Sequence, residues 1–177
     1  VDEALKLLNE KVEALEKYVY VNNVNISYNG DSSDVITITV PEDQSYIMAT
    51  AQLDFNTVPA NAMYVSAEWS YEGDVFVNMN GIAAPSKNSA CYGKATVKLT
   101  DDFGNEYTKT VTIIFAKNPA TAIAVTPSEY TTHTLGEQVQ LAASVTGADG
   151  NSSDLNEVVW KSSNDSIATV DGNGLVT

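Results

Sequence analysis

The sequence predicts a mainly β protein: tandem β-sandwiches preceded by a short parallel coiled-coil helix. Three observations carry that prediction. Residues 1–20 contain no Gly or Pro and repeat their apolar positions every three or four residues. Beyond residue 20 the apolar period falls to two, broken by Asn-Gly and Asp-Gly pairs. A block around Trp69 recurs around Trp160, 91 residues later. The expected organisation is an oligomerisation helix over 1–20, a first sandwich over 21–117 and a second over 118–177.

The opening segment, VDEALKLLNEKVEALEKYVY, is rich in good helix formers. Leu5, Val12 and Val19 fall at the a positions of a heptad, and Val1, Leu8 and Leu15 at d. A stripe confined to two positions per heptad is a coil seam, whereas a helix packed on its own domain shows a broader apolar face. Lys11 at g and Glu16 at the following e suit an attractive pair between parallel chains. The expected oligomerisation residues are therefore Leu5, Leu8, Val12, Leu15 and Val19. The partner is the chain itself, as a homodimer or homotrimer. Val at a with Leu at d leans toward two strands, and so few heptads leave three open. About twenty residues are marginal for an isolated helix, so the coil is expected to continue upstream.

The strands follow from alternation. Ile36, Ile38 and Val40 alternate with Thr37 and Thr39, and Ala95, Val97 and Leu99 with Lys94, Thr96 and Lys98. Val111, Ile113 and Phe115 obey the same rule, as do Val139, Leu141, Ala143 and Val145. One face in and one face out is the signature of half-buried antiparallel strands. The turns between them are marked by Asn29-Gly30, Asn80-Gly81, Asp149-Gly150 and Asn173-Gly174.

The internal repeat pairs EWSYEGDVFVNMNGIAA (68–84) with VWKSSNDSIATVDGNGLVT (159–177). Trp69 aligns with Trp160, Val77 with Val170, and Gly81 with Gly174; upstream, AQLDF pairs with VQLAASV. Asn118-Pro119-Ala120 marks the join, and it is too short for free tumbling. Along 120–177 the order IAVTPSEYTTHTLGEQVQLAASV, then VVWKSSNDSIATVDGNGLVT, resembles the bacterial immunoglobulin-like domain, group 2. Pro127, Leu135-Gly136, Leu141, Trp160, Ser162, Ser163, Val170, Asp171, Gly174 and Val176 carry that resemblance. It implies Ig-like sandwiches whose core motif is Trp69, Gly81, Trp160, Val170 and Gly174. The first copy is the more divergent, with Tyr71 where the second has Ser163. In the first copy strands at 93–99 and 107–115 follow the Asn-Gly turn, while the second copy reaches Thr177 three residues past Gly174. The expectation is a second sandwich incomplete at its C-terminal end, in a fragment of a longer protein.

Charge and composition exclude several functions. The net charge is −14, and every basic residue is Lys. That argues against nucleic-acid binding and against docking on an anionic membrane. No apolar run approaches the ~18 residues a membrane span needs. Cys91 is the one cysteine and His133 the one histidine, far apart in sequence, so a nucleophilic or His-based metal site has nothing to be built from. Asp101-Asp102 precede Gly104 and read as a hairpin turn rather than an acid/base pair. Trp69 and Trp160 read as core residues rather than sugar platforms. No catalytic residue, metal ligand or cofactor is assigned. Calcium is the one ion the sequence raises, because the 148–154 loop with Asp149, Asn151 and Asp154 offers hard oxygens. That loop lacks the twelve-residue pattern and its bidentate Glu, and turn chemistry accounts for it better.

A coil leading into sandwiches is the plan of a fibre, in which tying weak modules together multiplies their avidity. Domains resembling this family occur on phage fibres. The resemblance therefore implies a non-enzymatic structural or attachment protein on a phage virion, a head or tail fibre, with other virion proteins and surface or mucus glycans as partners. The alternatives are a bacterial cell-surface adhesin stalk and accessory modules of an extracellular enzyme.

Overall fold

Asp2 and Glu3 open helix α1 (Asp2–Glu16), where the exposed N–H groups of a first turn favour negative charge. The helix stops at Glu16, before the aromatic and β-branched run Tyr18-Val19-Tyr20-Val21. The Tyr18 N–H donates to the Leu15 carbonyl at 3.1 Å and closes the last turn. The expected helix over 1–20 is thus shortened, and Val19 is removed from the seam. Its carbonyl instead accepts the Met63 N–H at 2.9 Å. The computed structural model describes residues 2–177; Val1, an expected d position, lies outside the described residues.

The chain divides between Phe115 and Ala116 into two compact units. In the first, β1 (Asn23–Ser27) pairs antiparallel with β4 (Asp54–Val58). A four-stranded sheet takes β2 (Val35–Thr39), β5 (Ser66–Gly73), β8 (Cys91–Thr100) and β9 (Glu106–Ala116) in the order β2-β9-β8-β5. A third sheet runs β3-β7-β6, from Ala51–Gln52, Ile82–Pro85 and Val75–Val77. Each strand sends its apolar alternates inward. Val24, Ile26, Ile36, Ile38, Val75, Val97, Leu99, Ile113 and Phe115 meet in one buried core. The outward alternates are Thr, Lys and Glu, and Thr96 Oγ1 meets Thr110 Oγ1 at 2.7 Å across β8 and β9. On the same face Lys98 reaches Glu106 at 3.1 Å. This is a mainly β, sandwich-like unit with one short helix at its N-terminal side.

The second unit is sparser. β10 (Ala120–Thr126) pairs with β12 (Ala142–Gly147), and β11 (Val139–Gln140) with β13 (Leu175–Val176). Beyond Ala116 no apolar side chain is fully buried among the described residues. Trp160, expected on a core strand, lies in no strand. The physical reason is visible in the first unit. There the Trp69 strand, β5, is an edge strand that hydrogen-bonds only to β8. Residues 156–162 have no such neighbour. Leu135, one of the residues that carry the resemblance, sits fully exposed in the turn-rich stretch before β11.

Candidate functional site

The first candidate surface is the α1 seam. Leu5, Leu8, Val12 and Leu15 are 54%, 56%, 44% and 51% exposed, and no residue of the helix is buried. About three turns of helix thus present a row of half-exposed, large apolar side chains. Val19, half-buried, belongs to the sandwich.

The second is a Trp–Gly junction that occurs once in each unit. In the first, Gly81 has φ +79°, and a Cβ placed there would lie 2.7 Å from the Leu53 carbonyl oxygen and 3.2 Å from Trp69 Cε2 and Cζ2. In the second, Gly174 has φ +84°, with Leu141 O at 2.8 Å and Trp160 Cε2 at 3.0 Å from the same point. The Leu53 N–H donates to the Gly81 carbonyl, and the Leu141 N–H to the Gly174 carbonyl, both at 2.9 Å. Asn78 Oδ1 accepts the Asn80 and Ile82 N–H groups at 2.9 and 3.0 Å. Asp171 Oδ1 accepts those of Asn173 and Leu175 at 2.8 and 2.9 Å. A glutamine completes each set: Gln52 Nε2 donates to the Leu53 and Asn80 carbonyls, and Gln140 Nε2 to those of Leu141 and Asn173. Sequence reading aligned these tryptophans and glycines as a core motif and named neither glutamine. The signal was present, since each Gln stands immediately before the aligned Leu in AQL and VQL. Val170 is half-buried and bridges to Val176 across this turn.

Asp101, Cys91 and Glu137 are engaged in turns or packing. Asp101 is 1% exposed. Its Oδ1 accepts the Phe103 and Asn105 N–H groups at 2.9 and 2.8 Å, and its Oδ2 accepts Asn105 Nδ2 at 2.9 Å and the Tyr107 hydroxyl at 3.3 Å. Burial pushes this carboxyl up, but the four donors outweigh it and hold it below its ordinary value. Cys91 is buried with Sγ 3.4 Å from the Asp74 carbonyl, and burial raises its pKa. Such a thiol is a poor nucleophile. Glu137 holds the loop before β11: it accepts from the Tyr130 and Thr132 hydroxyls and the His133 N–H, and these bonds lower its pKa.

The loop considered for calcium spends its oxygens on itself. Asp149 accepts from Asn151 Nδ2 at 2.9 Å, the Asn151 N–H at 2.8 Å and Asn118 Nδ2 at 2.7 Å, so its carboxyl titrates below the usual value. Asp154 accepts the Lys117 and Asn118 N–H groups at 2.9 and 3.2 Å. The loop side chains thereby fasten the start of the second unit. Among the described residues no group of three or more His, Cys, Asp or Glu is placed to hold a metal, and no helix is long and apolar enough to cross a membrane.

A third surface is a groove of about 390 Å³ in the second unit, walled by Val125, Tyr130, Leu135, Leu141, Ile167 and Val176 among others. Ile167 and Leu135 stand almost wholly exposed at its rim.

Comparison with known proteins finds similarities over parts of the chain. A family model described as Bacterial Ig-like domain (group 2) matches residues 119–177. That segment, a third of the chain, is similar to a bacterial Ig-like domain of group 2. A curated relative, Ice-binding protein 1 of Shewanella frigidimarina (strain NCIMB 400), is 31% identical over 113 residues, which is 63% of this chain. The chain spans only 13% of that relative's length. Among solved structures, mouse protocadherin-24 EC1-3 aligns over 89% of this chain and 57% of its own, at a TM-score of 0.30 and 9% identity.

Proposed function

We propose that this chain is part of a non-enzymatic attachment protein: an oligomeric fibre in which α1 joins copies in parallel and tandem Ig-like modules present loops to a surface. The observation that carries the reading is the exposed Leu5-Leu8-Val12-Leu15 row running directly into a β unit. Leaving four large apolar side chains half exposed is costly, and burying the exposed half of each against another copy returns on the order of 1 kcal/mol. The tandem reading rests on the Trp–Gly–Gln junction, repeated in both units down to the same donors and acceptors.

Phage virions use such fibres, with weak contacts to host-surface or mucus glycans gaining strength from multivalency. The chain's charge of −14 suits a soluble displayed surface and repels anionic polymers. The test is peptide mass spectrometry on two fractions of one producing culture, purified particles and cell envelope. Enrichment in particles is expected, and peptides confined to the envelope overturn the virion assignment.

A second reading, a bacterial cell-surface stalk, is favoured by one specific observation. The match to the Shewanella ice-binding protein covers a small part of a much longer chain, as expected of a repeated spacer module. Light scattering separates the two: a fibre oligomerises through α1, whereas a stalk repeat stays monomeric at high concentration.

A further inference from the structure

The passage from α1 into the first sandwich is stitched down. The Tyr18 hydroxyl donates to the Met63 carbonyl at 3.2 Å and accepts the Asp102 N–H at 3.4 Å. The Met63 N–H returns to the Val19 carbonyl at 2.9 Å, the Asn22 N–H donates to the Val58 carbonyl at 2.8 Å, and Val21 is buried. Three rings gather at this stitch. Tyr18 meets Tyr20 and Phe103 edge-on at 4.8 and 5.0 Å, while Tyr20 and Phe103 stack at 5.8 Å with 23° between their planes. Aromatic clusters ordinarily lie inside a fold. This one lies at the surface, with Tyr20 49% and Phe103 52% exposed, beside Met63 at 49% and Val65 at 61%. The Val65 N–H donates to the Thr100 carbonyl at 2.8 Å, which sets Val65 beside the Asp101 turn that carries Phe103.

An apolar surface held this rigidly marks a contact, and three facts identify the occupant. The surface begins three residues after Leu15, where the seam ends. A stable interface buries on the order of 1,200 Å², and an apolar patch that continues the seam adds to what the seam buries. In a parallel rotational assembly equivalent residues surround one axis, so a patch at the foot of the seam faces its own counterpart. We propose that Tyr20, Met63, Val65 and Phe103 form a second contact between copies of this chain, continuing the α1 seam into the first sandwich. The proposal rests on the oligomeric reading above.

Cysteine cross-linking on the 177-residue chain tests it, because native Cys91 is only 1% exposed and stays silent. Phe103→Cys and Leu8→Cys are each expected to give disulfide-linked dimers under mild oxidation, while Thr37→Cys, on the exposed side of β2, stays monomeric. The paired variant Tyr20→Ser/Phe103→Ser is expected to weaken association by about tenfold or more, with helical circular dichroism per oligomer unchanged. Cross-linking at residue 8 but not 103, or unaltered association of the Ser pair, overturns the patch and leaves the coil standing. Cross-linking at neither position overturns both.

Discussion

Gly81 and Gly174 illustrate how much one missing Cβ decides. Both hold φ near +80°, where an L side chain costs about 1–2 kcal/mol through its clash with the following carbonyl. At Gly81 the space is also taken, with Leu53 O only 2.7 Å from where a Cβ would sit. Gly30 has φ +85° with nothing within 4 Å, so it isolates the backbone cost from the packing cost. In urea unfolding, Gly81→Ala is expected to destabilise the first unit by clearly more than Gly30→Ala does. Equal losses would show that the Trp69 stack yields freely. Asp101 makes a pH prediction at the same scale. Its folded pKa lies below the ordinary 3.8, so its stabilising contribution is complete above that value and is lost as pH falls through the folded pKa. Asp101→Asn is therefore expected to lower the melting temperature at pH 7, by a margin that narrows progressively as pH is lowered below 3.8. A gap that does not narrow in acid would mean that the turn depends on shape rather than charge.

Elements were legible where a single local rule determines them. The alternation of Ile36, Ile38 and Val40, and of Ala95, Val97 and Leu99, announces β2 and β8, and the structure buries every one of those residues. The Asn-Gly pairs named the turns because positive φ is a local demand. What escaped was set by partners. Heptad spacing carried the helix on to Val19, but Tyr18 and Val19 find better bonds on Met63 and Asp102 than another helical turn offers. The Trp160 segment has the composition of β5 and forms no strand, since a strand exists only beside a hydrogen-bonded neighbour. The seam itself is an element-scale claim with its own test. Leu8→Asp/Leu15→Asp places charges on the shared face, so sedimentation is expected to show monomers and the helical signal near 222 nm to fall, because a helix this short is marginal alone. The thermal transition of the sandwich should not move, as no residue of α1 is buried against it. Association that survives the double Asp substitution would transfer the joining role to the β units.

At the scale of the whole molecule the two units differ in kind, although their Trp–Gly junctions match bond for bond. The first encloses a core in which Ile36, Leu53, Val97, Leu99, Ile113 and Phe115 are essentially inaccessible. The second holds its turns with polar side chains (Asp149, Asp154, Asp171 and Gln140) and buries no apolar side chain past Ala116 among its described residues. Hydrogen bonds to exposed groups exchange with water at little cost, whereas a buried core makes opening cooperative. Hydrogen exchange followed by mass spectrometry on the intact chain is therefore expected to show two populations. Peptides covering β8 and β9 should stay protected for hours, and peptides covering β10 to β13 should exchange within minutes. The groove at Leu135, Leu141 and Ile167 supplies the internal control, because whatever covers it must slow exchange in β11 and β13, beside which Leu141 and Gly174 share their bond. Protection there that rises with chain concentration would mean that another copy fills the groove. Equal protection of both units at all concentrations would overturn the distinction between a unit with a buried apolar core and one without.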